Sequence, residues 1–297
     1  MRRLSIIIFA VVFIFILAAC NQTAKPTDSN DAKEVDGDNT EEVSEENADE
    51  EENNDSDLTL QEVFEKTMET NDGLDSFSIT MDLQQTMNIN EEEMDVGSVI
   101  EMDIITDPIS MKQNMVMDMD ELGKQEMEMY FAEEGFYVFD PMEDQWMKFP
   151  NEFSDELLQL SNNQADVGNQ LNQFEDFLED FTFEQDENNY ILTLQADGEK
   201  FNELLTETIK NSMPQELGLD VSIFDNISFD NVNYDIVINK ETFYFSELNV
   251  KMDYEMEIEG EKIKVNQDVK SKYENHNNVD AITIPKEAID NAVEVEL

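Results

Sequence analysis

Apolar residues fall at every second position through much of this chain beyond residue 77, and no other feature limits its fold so tightly. The longest run sets Leu248, Val250, Met252, Tyr254, Met256 and Ile258 against Lys251, Asp253, Glu255 and Glu257. Phe77, Ile79, Met81, Leu83, Met87 and Ile89 repeat it, with Ser78, Thr80, Asp82 and Gln84 between them. So do Ile100, Met102 and Ile104, then Ile109, Met111, Met115, Met117 and Met119. Met127, Met129 and Phe131 follow, and later Val232, Tyr234, Ile236 and Ile238. Side chains of an extended backbone alternate between two faces, so this period gathers apolar groups on one side and carboxylates on the other. The segments read as long antiparallel strands, dry on one face and wet on the other.

One hairpin can be registered from its turn. In "MEIEGEKIKV", Gly260-Glu261 form a two-residue turn with Gly first, as type II′ prefers. Glu259 then faces Lys262, Ile258 faces Ile263, Glu257 faces Lys264 and Met256 faces Val265, so apolar meets apolar and acid meets base.

Helical spacing is rarer. Leu58–Asn71 sets Leu60, Val63, Phe64 and Thr67 on one face, and Asn151–Asp180 spaces Leu157, Leu160, Val167, Leu171, Phe174 and Leu178 by mostly three or four. A third helix carries Phe201, Leu204, Leu205 and Ile209 and stops at Pro214; a short last one follows Pro285. The expected order is helix, about six strands, helix, two strands, helix, three strands, helix. The fold class is α+β. A sheet of ten or more long strands cannot stay flat, so it should curl into an open half-barrel, with helices covering its concave dry face.

The chain opens differently. Arg2 and Arg3 precede an apolar run from Leu4 to Leu17, broken only by Ser5. The run is shorter than the about 20 residues a spanning helix needs, and has the shape of a secretory signal. It ends in "ILAAC", which holds the only cysteine, Cys20. "LAAC" resembles the lipobox of bacterial lipoproteins, which implies acylation of the Cys20 thiol and cleavage before it. The alternatives are an ordinary signal peptide with a chance cysteine, or a retained membrane helix. From Asn21 to Asp57 the sequence contains no aromatic residue and no Leu or Ile. Dense like charge with so little apolar surface cannot offset the entropy of folding, which predicts a disordered spacer of about 35 Å or more. The expected division is residues 1–19 as signal, 20–57 as lipidated cysteine and acidic tether, and 58–297 as the half-barrel.

Charge and chemistry narrow the function classes. Acidic residues outnumber basic ones 72 to 17, and the excess persists past Leu58. That excludes nucleic acid and anionic membrane surface as direct partners, since both demand clustered Lys and Arg. Adaptation to a salty or alkaline exterior accounts for such a balance. The sole histidine, His276, stands in the polar "YENHNNV", which reads as an exposed loop, and no free thiol survives acylation, so neither a Ser-His-Asp nor a Cys-His arrangement can be built. No catalytic residue, metal site or cofactor is expected. "DAKEVDGDNTEE" fails the calcium-loop spacing because Lys33 stands where a ligand should be. The thioethers of Met115, Met117, Met127 and Met129 suit Cu(I), yet the strand alternation already accounts for their spacing. Methionine also adapts to variable apolar shapes, which suits a wall that receives acyl chains.

The lipobox, the first amphipathic helix, the meander opening at "DSFSITMDLQQTMNI" and the closing "DAITIPKEAIDNA" together resemble a group of Gram-positive lipoproteins of unknown function, similar to the LolA and LppX type of lipid-carrying envelope proteins. The resemblance implies an open half-barrel of about eleven strands whose concave face, under helices, holds acyl chains. It carries no ligand residue over by motif.

The function expected is a lipoprotein on the outer face of the cytoplasmic membrane of a Gram-positive envelope, binding a hydrophobic small molecule or lipid without catalysis. An envelope interaction or sensor module with a self-filled core and a protein partner is the alternative. Candidate cavity residues are Ile79, Met81 and Leu83; Ile100, Met102 and Ile104; Met115, Met117, Met127 and Met129; Met252, Tyr254 and Met256; and Trp146, expected at the cavity mouth. Cys20→Ala should release the protein from membranes, read by fractionation of cells and medium.

Overall fold

The structure, a computed structural model, describes residues 56–89, 92–119, 123–151, 175–196, 206, 227–258 and 261–295. The signal, Cys20 and the tether up to Asp55 lie outside these residues. So do most of the helix expected over Asn151–Asp180 and nearly all of the one expected before Pro214.

Helix α1 runs Leu60–Asp72. The Thr59 hydroxyl accepts the Glu62 backbone N–H at 3.3 Å, and the Glu62 carboxylate accepts the Thr59 N–H at 2.8 Å. This reciprocal capping box satisfies two donors that a helix start leaves open, and the bond from the Thr59 backbone holds the Glu62 carboxyl below its ordinary pKa. Val63 and Phe64 are fully buried in the main core, so α1 covers the dry face of the sheet. Its C-terminal end is stitched down by Asn71, whose amide donates to the Phe243 carbonyl at 3.0 Å.

The strands are β1 (Ser76–Ile89), β2 (Glu92–Thr106), β3 (Ile109–Met119), β4 (Gly123–Ala132), β5 (Gly135–Asp140) and β6 (Gln145–Lys148). After a 3-10 helix at Glu175–Asp180 come β7 (Thr182–Gln185), β8 (Asn189–Ala196), β9 (Ser228–Asn239), β10 (Phe245–Ile258) and β11 (Glu261–Glu274). Helix α2 (Lys286–Asn291) and a two-residue β12 (Val293–Glu294) close the chain's described part.

All twelve strands form one open half-barrel sheet in the order β12-β6-β5-β4-β3-β2-β1-β11-β10-β9-β8-β7. Two meanders run outward from the centre, where β1 pairs with β11 from Ser78↔Glu274 to Ile89↔Ile263. Every ladder is antiparallel except β12 on β6. The expected strand order holds; β12, too short to show a period, was not anticipated.

The β10–β11 register differs from the expected one. Ile258 pairs with Glu261, Glu257 with Lys262, Met256 with Ile263 and Glu255 with Lys264. The slip is two residues, so the parity of each strand is kept, and from Glu257–Lys262 inward the nearby rungs still set acid against base and apolar against apolar. Rungs further from the turn decide it. The expected register would set Asp253 against Asp268 and Lys251 against Lys270. The observed one pairs Lys251 with Asp268, 3.5 Å apart, and lets Asn266 donate to Asp253 at 2.6 Å.

Phe64→Ala should cost about 3–5 kcal/mol by opening the core under α1, and Thr59→Ala about 1 kcal/mol by removing the cap. Thermal unfolding followed by circular dichroism checks the ranking.

Candidate functional site

Thirteen of the fourteen candidate side chains share one face. Leu83, Ile100, Met102, Met115, Met117, Met129, Met252, Tyr254 and Met256 are buried members of the main core, and Ile79, Met81, Ile104 and Met127 pack against it half-buried. Alternation alone brings them together, because the ladders keep parity from strand to strand: Met81↔Ile100, Ile100↔Met115 and Met115↔Met127 are successive rungs.

This face is not uniformly sealed. Met111 on β3 pairs with Ile104 on β2, Ile79 and Met81 continue along β1, and Ser271 on β11 links Met81 to Leu248 on β10. All five apolar members of this oblique strip are half-buried, while their neighbours Phe77, Leu83, Ile100 and Met115 are closed off.

The same face carries polar groups the alternation did not flag. Gln85 and Gln267 are rung partners across β1 and β11, 3% and 4% exposed. The Gln85 amide donates to the Tyr254 hydroxyl at 3.3 Å and sits 3.5 Å from the Gln267 oxygen. Among the described residues, Gln85 Oε1, Gln267 Nε2, Gln113 Nε2 and the hydroxyl of buried Ser98 have no hydrogen-bond partner. Each such orphan costs about 1–3 kcal/mol. Burial also pushes the Tyr254 and Tyr234 hydroxyls far above the ordinary tyrosine pKa, so both stay protonated. Three glutamines at apolar parity are the signal that sequence reading passed over: Gln85 continues the Leu83 face, Gln267 the Val265 face, and Gln113 the face of Met111 and Met115.

Trp146 lies elsewhere. It pairs with Phe139 and packs with Tyr130, Tyr137, Ile284 and Ala288 in a second core on the outer face. The expectation that it marks a cavity mouth on the dry face therefore needs correction. In Gln145–Lys148 it is Met147 that joins the main core, and Trp146 has the opposite parity. What makes the wet face dry here is the C-terminal segment, which folds back across it. Asn277 N–H donates to the Ser76 carbonyl at 2.7 Å, α2 supplies Ala288, and Val295 N–H donates to the Lys148 carbonyl at 2.9 Å. Helix α2 thus packs outside the half-barrel, not inside it.

Between this segment and the sheet is a cleft of about 460 Å³. Its floor is one row across four strands, Ser78, Asp103, Lys112 and Tyr130, and its wall runs from Asn275 to Thr283. Ser78 donates to Asp103 at 2.6 Å and accepts from Asn275 at 3.1 Å. This lining is mostly polar, and none of the fourteen candidates belongs to it. His276 also departs from the exposed loop expected: it stacks on Tyr244 at 4.4 Å, half-buried, and desolvation holds its pKa below the usual 6.5.

A family of unknown function (DUF6612) matches residues 59–293. Among curated proteins, none matches. Solved structures resemble the chain remotely. A DUF1329 family protein from Desulfovibrio piger does so with TM-score 0.25 at 10% identity, over 75% of this chain and 95% of its own. A LolA superfamily protein from Nitrosomonas europaea gives 0.20 at 13%, over 76% and 96%. Lipovitellin, in a structure concerned with its lipid–protein interactions, gives 0.31 at 8%, over 70% of this chain but only 26% of lipovitellin. At such scores the likeness says nothing about what this chain binds.

Trp146 is 8% exposed, so its emission should be blue in the free protein. Ile284→Asp should redden it by lifting the C-terminal segment, read by steady-state fluorescence.

Proposed function

This chain belongs to the DUF6612 family of unknown function, and we propose that it binds a hydrophobic ligand, a lipid or lipid-linked precursor, on the dry face of its sheet without catalysis. The observation that carries this reading is the strip from Met111 through Ile104, Ile79 and Met81 to Leu248. A self-filled core closes over its apolar groups, since each Å² left wet forfeits about 25 cal/mol. Here four of the half-buried groups adjoin one another, Leu248 follows across Ser271, and all lie beside buried ones. Two of the five are methionines, whose unbranched, polarizable side chains re-pack around chains of differing shape.

The proposal includes an anchor. Acylation at Cys20 would hold the protein on the outer face of the cytoplasmic membrane of a Gram-positive envelope, and residues 21–57 would give the sheet reach above it. The short apolar run and "LAAC" support this. Acylation suits the charge balance too, because a chain of formal charge −55 gains nothing from an anionic bilayer by electrostatics.

Mass spectrometry of organic extracts of the protein from its native host should find an acyl-chain compound at near-stoichiometric amount. Met81→Asp should weaken displacement of an apolar fluorescent probe at least about tenfold, since a carboxylate is costly to desolvate, whereas Met81→Leu should stay near wild type. An empty extract together with probe binding indifferent to Met81→Asp would favour the interaction module.

A further inference from the structure

We infer that the dry face recognises a neutral group of its ligand that both donates and accepts hydrogen bonds, an amide or a hydroxyl, held between Gln85, Gln267 and Ser98. This rests on the hydrophobic-ligand reading and names the ligand's polar chemistry.

The argument is one of hydrogen-bond accounting. A carboxamide offers two donors and an acceptor. Gln85 and Gln267 face each other on one rung, and contact between two amides consumes a donor of one and the acceptor of the other. Whichever way the two are turned, one oxygen and one NH2 remain to be matched. In the structure these are Gln85 Oε1 and Gln267 Nε2, both buried and unpartnered. Ser98 adds a third orphan, a hydroxyl that can act either way. It sits opposite Leu83, the side chain that precedes Gln85 on the same face of β1. Tyr254 closes the far side through its bond to Gln85. Gln85 on the central β1 thus stands between the other two, with Gln267 opposite it on β11 and Ser98 diagonal to it on β2; Leu83, Val96 and Met252 are their rung partners.

A single ligand group must meet an acceptor and a donor at once. An ester or ether oxygen serves only Gln267 and leaves Gln85 Oε1 orphaned. A secondary amide or hydroxyl serves both. Ionised groups are disfavoured, because the buried polar side chains among the described residues are all uncharged: Thr67, Asn71, Ser76, Gln85, Ser98, Gln113, Gln267 and Ser271. Met81, an interior member of the half-buried strip, lies two places from Gln85 on this face with Leu83 between them, so a branch of the ligand at Met81 brings its polar linkage toward the glutamine pair.

The test uses matched probes, N-methylhexadecanamide and methyl hexadecanoate, displacing an apolar fluorophore from the purified full chain. The amide has the donor that the ester lacks. Wild type should bind the amide about tenfold or more tightly, since a site built to pair both functions leaves a buried group unpaired with the ester. Gln85→Leu/Gln267→Leu should bring the ratio of amide to ester affinity to about twofold or less, whatever happens to the ester affinity itself. Equal binding of the two probes by wild type, or a preference that survives in the double variant, would overturn the inference and mark the pair as internal or satisfied by water. Ester displacement without preference for the amide leaves the hydrophobic-ligand reading standing, whereas failure of both probes sinks the two together. The wild-type comparison needs no variant, so a double variant that misfolds does not remove the test.

Discussion

Everything in this fold depends on side-chain parity across the ladders. An extended chain offers its apolar groups to one side only, and a one-residue slip would turn a whole strand inside out. The pairing of β1 with β11 is where that constraint acts most strongly, because it joins two meanders made of sequence-distant segments. The apolar positions of β1, Phe77 through Met87, then continue across β11 into β10 and β9 as one surface. Charge follows the opposite parity: Glu255 with Lys264 and Lys251 with Asp268 are exposed pairs on the wet side. Such pairs add little stability individually, but like-charge rungs in the two-residue-shifted alternative make them effective selectors of register.

On a surface organised this way, polar residues at apolar parity stand out as exceptions. Some buried polar groups here are put to local use: Asn71 ties the end of α1 to the β9–β10 turn, and Thr67 donates to the Val63 carbonyl within its own helix. Gln85, Gln267 and Ser98 retain atoms without such a partner. They are uncharged, and they lie beside the half-buried strip near Met81, its interior member. On the function proposed above, an apolar track flanked by neutral polar groups would suit an uncharged amphiphile.

The outer face has its own organisation. The C-terminal segment converts part of a wet surface into a small second core around Trp146, and the stacked Tyr244–His276 pair lies at the bend where β11 ends. Hydrogen bonds from Asn275, Asn277 and Val279 to Ser76 and Ser78 fasten that segment to the middle of the sheet. The polar cleft beneath it is therefore formed by long-range contacts and is separated by the sheet from the apolar strip.

The chain order of the long strands, the strand faces and the membership of thirteen candidate side chains on one surface were legible in the sequence, because a period of two is imposed by backbone geometry and needs no distant partner. The capping box at Thr59–Glu62 was equally local, and Leu58–Asn71 differs from α1 by only two residues at its start and one at its end. Some of what was missed was also written there: Asp253 and Asp268 would have excluded the wrong hairpin register had the ladder been followed further from its turn. Other features were not local at all. Trp146 looked like a rim residue because nothing near it announces that residues beyond 275 return to cover the outer face. The meeting of Gln85 with Gln267, 182 positions apart, exists only because the first and last long strands close on each other. Periodicity determined which way each side chain points; the pairing of distant strands decided which of them meet, since hydrogen-bonded register is set by the whole ladder and not by any segment of it.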